Sequence, residues 1–197
     1  IAFKVDASNN LKERVRRRCG ATYAGRFDSY TFHGLAKRII ERFRPVLAGD
    51  DALNSGFKVV VKGKAHPVQT EFKELIPLAI KILDAYPAAI NAVRQTYSDV
   101  FLDEFQDCTD EQYELVTRLF KGSGRRVTAV GDVKQKIMGW AGALEGIFAE
   151  FVDDFEAYAG GDIVVLRPRS ADAVFIGYAL NAPAVAKQKA SRGQGDA

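Results

Sequence analysis

Two adjacent carboxylates, Asp103 and Glu104, follow directly on the apolar run Val100-Phe101-Leu102. Side by side they can divide two tasks. One holds a divalent cation through hard oxygen ligation, and the other orients or deprotonates an attacking water. The bland alternative is an acidic helix N-terminus, where Asp and Glu are favoured by the macrodipole. A second polar group follows the run Val127-Thr128-Ala129-Val130: Gly131-Asp132, with Gln135 shortly after and Trp140 beyond it.

Such groups need a frame to converge. Residues 99–102 read as a buried strand of a parallel sheet, because parallel strands are covered on both faces. Ligands of open α/β sheets gather just past the carboxyl ends of such strands. Beyond Thr109, the spacing of Gln112, Leu115, Val116, Leu119 and Phe120 predicts a helix, closed by Lys121-Gly122-Ser123-Gly124. Residues 127–130 then predict a second strand. Two consecutive strands thereby deliver polar side chains to one sheet edge, joined by a helix long enough for a right-handed crossover. That is the geometry of a nucleotide site.

Upstream, residues 1–5 predict a strand, 11–18 a basic helix, 27–32 a strand, and 33–43 a helix halted by Pro45. Between 45 and 98 the strand–helix alternation lapses. That stretch holds a loop at Gly49-Asp50-Asp51, an extended piece over 57–62, and helices over 69–85 and 87–97. Downstream, 148–152 predicts a helix and 163–166 a strand. Ser170 is placed to cap a helix over 171–180, and a polar tail starts at Pro183.

Composition bounds these readings. The chain of 197 residues is long enough for one sizeable core. A net charge of +3 excludes a histone-like binder, so any nucleic-acid surface must be a local patch. The densest candidate is Lys12-Glu13-Arg14-Val15-Arg16-Arg17-Arg18, whose other reading is a solvated helix face. Cys19 and Cys108 lack metal-ligand spacing and fit a reducing compartment. With no apolar run of membrane length and no signal peptide visible, a cytoplasmic protein without membrane partners is expected.

Residues 103–107 through Gln112, and Val130 through Ala143, resemble motifs II and III of UvrD/Rep-type superfamily 1 DNA helicases. The apolar run ending in Asp-Glu is the Walker B pattern of P-loop ATPases. Ile1-Ala2-Phe3 with its following helix resembles motif Ia, and Thr31-Phe32-His33-Gly34-Leu35 resembles motif Ib. Val164 through Ser170 is similar to motif IV, with Arg167-Pro168-Arg169-Ser170 where the family usually has Asn-Tyr-Arg-Ser.

The resemblance implies an α/β, RecA-like P-loop NTPase fold, a parallel sheet flanked by helices, truncated at the N-terminus and carrying a short helical insertion. Residues 1–44 and 99–182 would belong to the RecA-like domain, 45–98 to the mainly helical insertion, and 183–197 to the tail. It further implies ATP and Mg²⁺ as cofactors. Asp103 would ligate Mg²⁺, with Glu104 nearby to position or activate water. Gln135 would contact the γ-phosphate, and Arg169 would reach it from the domain interface. On the DNA side, Trp140 and Phe3 would stack on bases of a single strand or junction, each stack contributing about 1–3 kcal/mol. Thr31 and His33 would touch the sugar-phosphate backbone. Met138 and Ala141 depart from the family's Tyr and Arg or Lys, removing one aromatic and one cation from that track.

No Gly-x-x-x-x-Gly-Lys-Ser/Thr loop occurs in the chain. The expectation is therefore a fragment, cut on both sides, of an ATP-driven translocase moving 3′ to 5′ on single-stranded DNA. The fragment itself would be inactive. The alternative is a degenerate or switch-type domain that binds DNA or a protein without unwinding.

Overall fold

The computed structural model describes residues 1–2, 5–132 and 146–155. Ten regular elements lie among them, built around one apolar core. Helix α1 spans Val5–Ala24 and α2 spans Phe32–Phe43. Thr31 caps α2, its hydroxyl accepting from the Gly34 N–H at 3.0 Å. Phe32, Leu35, Ala36, Ile39 and Ile40 then fall on one buried face at helical spacing. Pro45 stops the helix as expected, in a single 3₁₀ turn over Arg44–Val46.

A small parallel pair follows, β1 (Lys58–Val60) with β2 (Gln69–Glu71), in the register Lys58↔Gln69 to Val60↔Glu71. Its presence corrects the helix expected from residue 69. Only α3 (Leu75–Ala85), after a 3₁₀ turn at Phe72–Glu74, is α-helical there. Gln69, Thr70 and Glu71 make a partner for β1 that no local periodicity announces. Helix α4 (Pro87–Thr96) turns off α3 at Tyr86-Pro87, where the proline keeps the preceding residue extended. Leu75, Ile76, Leu78, Ala79, Ile82 and Leu83 bury α3 against α2, α4 and α5. Each of these leucines and isoleucines withdraws from water with about 1.5–3 kcal/mol in favour of folding.

The functional frame is the parallel pair β3 (Asp99–Leu102) and β4 (Arg126–Ala129), joined through α5 (Asp110–Phe120). At the N-terminus of α5, the Gln112 carboxamide oxygen accepts from Thr109 N–H at 3.2 Å. At its other end, the Arg94 guanidinium from α4 donates to the Leu119 carbonyl at 2.5 Å and the Lys121 carbonyl at 3.3 Å. These satisfy carbonyls that a helix end leaves without partners.

Ile1 lies on the other side of β3. Its amino group donates to the Phe101 carbonyl, and its carbonyl accepts from Asp103 N–H at 2.9 Å. Ala2 in turn bridges Thr31 in parallel. The local order across the sheet is thus Thr31, Ile1–Ala2, β3, β4. The strand expected over 27–32 shrinks to the single Ala2↔Thr31 bridge, because α2 begins at Phe32; of the strand expected over 1–5, Val5 already belongs to α1 and residues 3 and 4 lie outside the described part. β3 also departs from the expectation of burial on both faces. Val100 and Leu102 are buried, whereas Phe101 is 52% exposed. The chain closes its described part with α6 (Ile147–Phe155). No single helix among the described residues is long and apolar enough to cross a membrane. Residues expected to form the strand at 163–166, the helix at 171–180 and the tail lie outside the described part.

Candidate functional site

Asp103 and Glu104 emerge together at the carboxyl end of β3, as the strand–carboxylate pattern predicts. Glu104 has φ 51° and ψ 42°, in the left-handed region. No other non-glycine residue in the described part has positive φ. For a side chain larger than glycine this backbone costs roughly 1–2 kcal/mol. Such strain persists where surrounding contacts hold it, and it clusters at functional sites. Here it reverses the chain immediately after the strand and starts the 3₁₀ turn Phe105–Asp107. Asp107 N–H closes that turn on the Glu104 carbonyl at 3.0 Å.

Gln106 fixes the carboxylate. Its Nε2 donates to Glu104 Oε2 at 2.7 Å, and its Oε1 accepts from Asp132 N–H at 3.1 Å. With Gln106 only 2% exposed, breaking either bond strands a buried polar atom at a cost of about 1–3 kcal/mol. The backbone joins the same two strand ends. Val130 N–H donates to the Leu102 carbonyl at 2.8 Å, and Phe105 N–H to the Val130 carbonyl at 3.0 Å. Gly131 makes this closeness feasible. A Cβ there would overlap Gln106 Oε1 and lie 3.0 Å from Phe105 N.

Phe105 anchors the turn from below. It is fully buried, with Phe148 and Phe151 of α6 edge-on at 5.3 Å each and Tyr113 tilted at 6.1 Å. Tyr113 donates to Asp154 Oδ2 at 2.7 Å, and Lys121 pairs with Asp154 Oδ1 at 2.6 Å. Burial, reinforced by that hydrogen bond, pushes the Tyr113 hydroxyl far above its ordinary pKa. It stays a neutral donor throughout the working range.

Thr31 reaches the same sheet edge two strands from Asp103, about 10 Å away at ordinary strand spacing. Its hydroxyl is engaged as the α2 cap, and a contact with a ligand would have to share it. His33, in the first turn of α2, stacks on Phe72 with ring centroids 4.0 Å apart. The pair opens on a shallow cavity of about 480 Å³, whose walls include Glu74, Pro77 and Gln112. Burial lowers the His33 pKa, so the imidazole is uncharged at neutral pH. Phe3, Gln135, Trp140 and Arg169, together with the departures at Met138 and Ala141, lie outside the described residues.

Hard carboxylate oxygens at a strand end are the donors that Mg²⁺ prefers. That ion is ordinarily held by one or two carboxylates together with phosphates and waters. Among the described residues no cluster of three or more His, Cys, Asp or Glu could hold a metal alone. Asp103 with Glu104 therefore fits a cation that arrives with phosphate oxygens, and does not fit a closed structural metal site. Sequence reasoning placed the carboxylates at the strand end. It missed Phe105, Phe72 and Gly131, since ring stacking and close backbone approach leave no periodic signal.

Residues 50–156, more than half of the chain, match the UvrD/REP helicase N-terminal domain family. Asp103, Glu104, Gln106 and Gly131 all lie within the match. Among similar proteins is the ATP-dependent DNA helicase PcrA of Leuconostoc citreum, 33% identical over 85 residues, which are 43% of this chain and 11% of that protein. DNA helicase II of Escherichia coli is 34% identical over 85 residues, 43% of this chain and 12% of that protein. The exonuclease/helicase protein RexA of Lactococcus lactis is 30% identical over 94 residues, 48% of this chain and 8% of that protein. The chain thus spans about a tenth of the length of the curated relatives it matches.

Proposed function

The chain belongs to the UvrD/REP helicase N-terminal domain family, and on that premise we propose that it forms part of an ATP-dependent DNA helicase. The observation that carries this is the strand-end arrangement. Consecutive carboxylates leave β3 through a strained turn and are tied by Gln106 to the end of β4. In this reading residues 1–44 and 99–182 belong to a RecA-like P-loop domain, interrupted by residues 45–98 and followed by the tail at 183–197. The protein would act in the cytoplasm, with its cysteines reduced.

Asp103 would hold Mg²⁺ with its carboxylate. When bound with ATP, the ion would neutralise charge on the phosphate oxygens and orient them. Glu104 would accept a hydrogen bond from the attacking water and take its proton, the Gln106 amide holding the carboxylate ready. Gln135 and Arg169 would meet the terminal phosphate. Thr31 and His33 would touch the backbone of single-stranded DNA, and Phe3 and Trp140 its bases. The neutral His33 ring would hydrogen-bond a phosphate or sugar without adding charge. Movement would run 3′ to 5′.

In the full-length protein, Glu104→Gln should lower DNA-stimulated ATP hydrolysis by about 100-fold or more, the scale of a lost general base. Binding of a fluorescent ATP analogue should persist. Steady-state turnover close to that of the wild type would remove Glu104 from the role.

A further inference from the structure

The loop between β1 and β2, residues 61–68, stands in solvent and yet is firmly tied. Gly63 turns it with φ 76°, in the left-handed region that glycine favours. The Gly63 N–H donates to Glu71 Oε1 at 3.0 Å, and the Ala65 N–H donates to Gln69 Oε1 at 3.0 Å. Lys64 Nζ donates to Glu74 Oε1 at 2.6 Å, and Lys73 lies 3.1 Å from the second oxygen of Glu71. Glu71 and Glu74 flank Phe72 in the chain, so these bonds fix the loop beside the ring that stacks on His33. At the start of the loop Val61 is 84% exposed, more than any other large apolar side chain in the described part. Val68 and Phe72 are exposed in the same small module. A single exposed valine needs no explanation, but an apolar tip on a braced loop is a different object. Its charge is also uneven. Residues 58–74 hold four lysines and two glutamates. Lys64 and Lys73 occupy both carboxylates, which leaves Lys58 and Lys62 exposed with no ion-pair partner among the described residues.

We propose that residues 58–64 form a wedge against duplex DNA. Val61 presses on the last base pair ahead of the single strand, and Lys58 and Lys62 hold the neighbouring phosphates. This rests on the helicase reading above and adds to it the place where the duplex opens. An apolar side chain that intrudes on a base step unstacks it, whatever the base, and lysines add phosphate contacts that are equally indifferent to sequence. A wedge must not yield when the duplex is drawn against it. Here the loop is bonded to Gln69, Glu71 and Glu74, at the entry to α3, and α3 is buried against α2. The start of α2 carries Thr31 and His33, so the strand freed at Val61 has its proposed contacts close by.

The test uses the full-length protein on a tailed duplex carrying a fluorophore and a quencher, with oligo(dT)-stimulated ATP hydrolysis measured in parallel. In Val61→Asp, unwinding should fall by about tenfold or more relative to hydrolysis, the scale expected when a side chain that unstacks a base step is lost. Val61→Ile keeps an apolar tip and should retain unwinding within about twofold. Replacing Lys58 and Lys62 together by alanine should make the salt slope of tailed-duplex binding shallower by about 1.8, at about 0.9 per phosphate contact. The slope for oligo(dT) should not change in that variant. Unwinding and hydrolysis that fall together in Val61→Asp would give the loop a purely structural role and overturn the proposal. An unchanged ratio of the two would overturn it as well, as would a wild type that hydrolyses ATP on oligo(dT) but opens no duplex. A wild type without DNA-stimulated hydrolysis would instead remove the helicase reading itself, which separates the two failures.

Discussion

The imidazole of His33 lies against the Phe72 ring with planes 20° apart, and that burial decides its charge. Removing a ring nitrogen from water penalises the protonated form, so the folded-state pKa falls below the ordinary 6.5. The folded protein then binds fewer protons at this site than the unfolded chain. Stability rises with pH wherever that is so. The contribution is complete above about 6.5 and is lost as pH falls through the lowered folded value. Carboxylates whose pKa is depressed act in a separate, more acidic window. Lys64 first of all lowers that of Glu74, and Ser98 with Arg126 lowers that of Asp99. Thermal unfolding followed by circular dichroism should therefore show a midpoint with a His33-dependent decline as pH falls from about 7 toward 5.5. His33→Gln, which cannot titrate, should lose that part of the decline. Parallel pH curves for the two proteins would show that His33 protonates freely in the folded state.

At the scale of elements, the turn after β3 depends on α6 as much as on the strand that precedes it. Phe151 of α6 is nearly fully buried, edge-on to Phe105 and stacked on Phe155 with centroids 4.8 Å apart. Phe151→Ala should cost about 3–5 kcal/mol of unfolding free energy, the usual range for emptying a buried aromatic site. Hydrogen exchange should speed up over α6 and residues 105–107 more than over α2. Uniform acceleration would mean that α6 does not support the turn in particular. These dependencies differ in how plainly the sequence declares them. The spacing of Leu35, Ile39 and Ile40, and of Leu115, Val116 and Leu119, specifies α2 and α5, because an apolar face at helical period is local information. The run before Asp103 likewise specifies β3 and the edge at which its carboxylates stand. By contrast, β2 exists only through its pairing with β1 across the intervening loop, and its Gln-Thr-Glu sequence reads as the approach to a helix. Phe105 looks like any core aromatic until α6 folds back onto it. Gly131 looks like a turn residue until Gln106 is seen to fill the place of its missing side chain.

For the whole molecule, a net charge of +3 says little about where an anionic partner would rest. Helix α1 concentrates the answer. Ser8 is buried with its hydroxyl 2.8 Å from that of Ser29, and Leu11 and Val15 are half-buried on the same side. Lys12, Arg14, Arg16, Arg17 and Arg18 are exposed around the rest of its circumference, with Glu13 paired to Arg17. The helix starts at Val5, three residues past Ala2, which bridges Thr31 at the strand edge proposed to meet DNA. A surface that neutralises phosphates releases condensed counterions, which makes affinity fall with salt in proportion to the number of contacts. For single strands each phosphate contact contributes about 0.7 to the slope of log affinity against log salt. Replacing Arg14, Arg16 and Arg18 by alanine removes three charges that have no ion-pair partner among the described residues. The slope measured with oligo(dT) between about 50 and 200 mM salt should then become shallower by about 2, with thermal stability changed little. The same slope in the triple variant would leave α1 as a solvated face. A weaker affinity at every salt concentration with an unchanged slope would place its effect in folding, away from the phosphates.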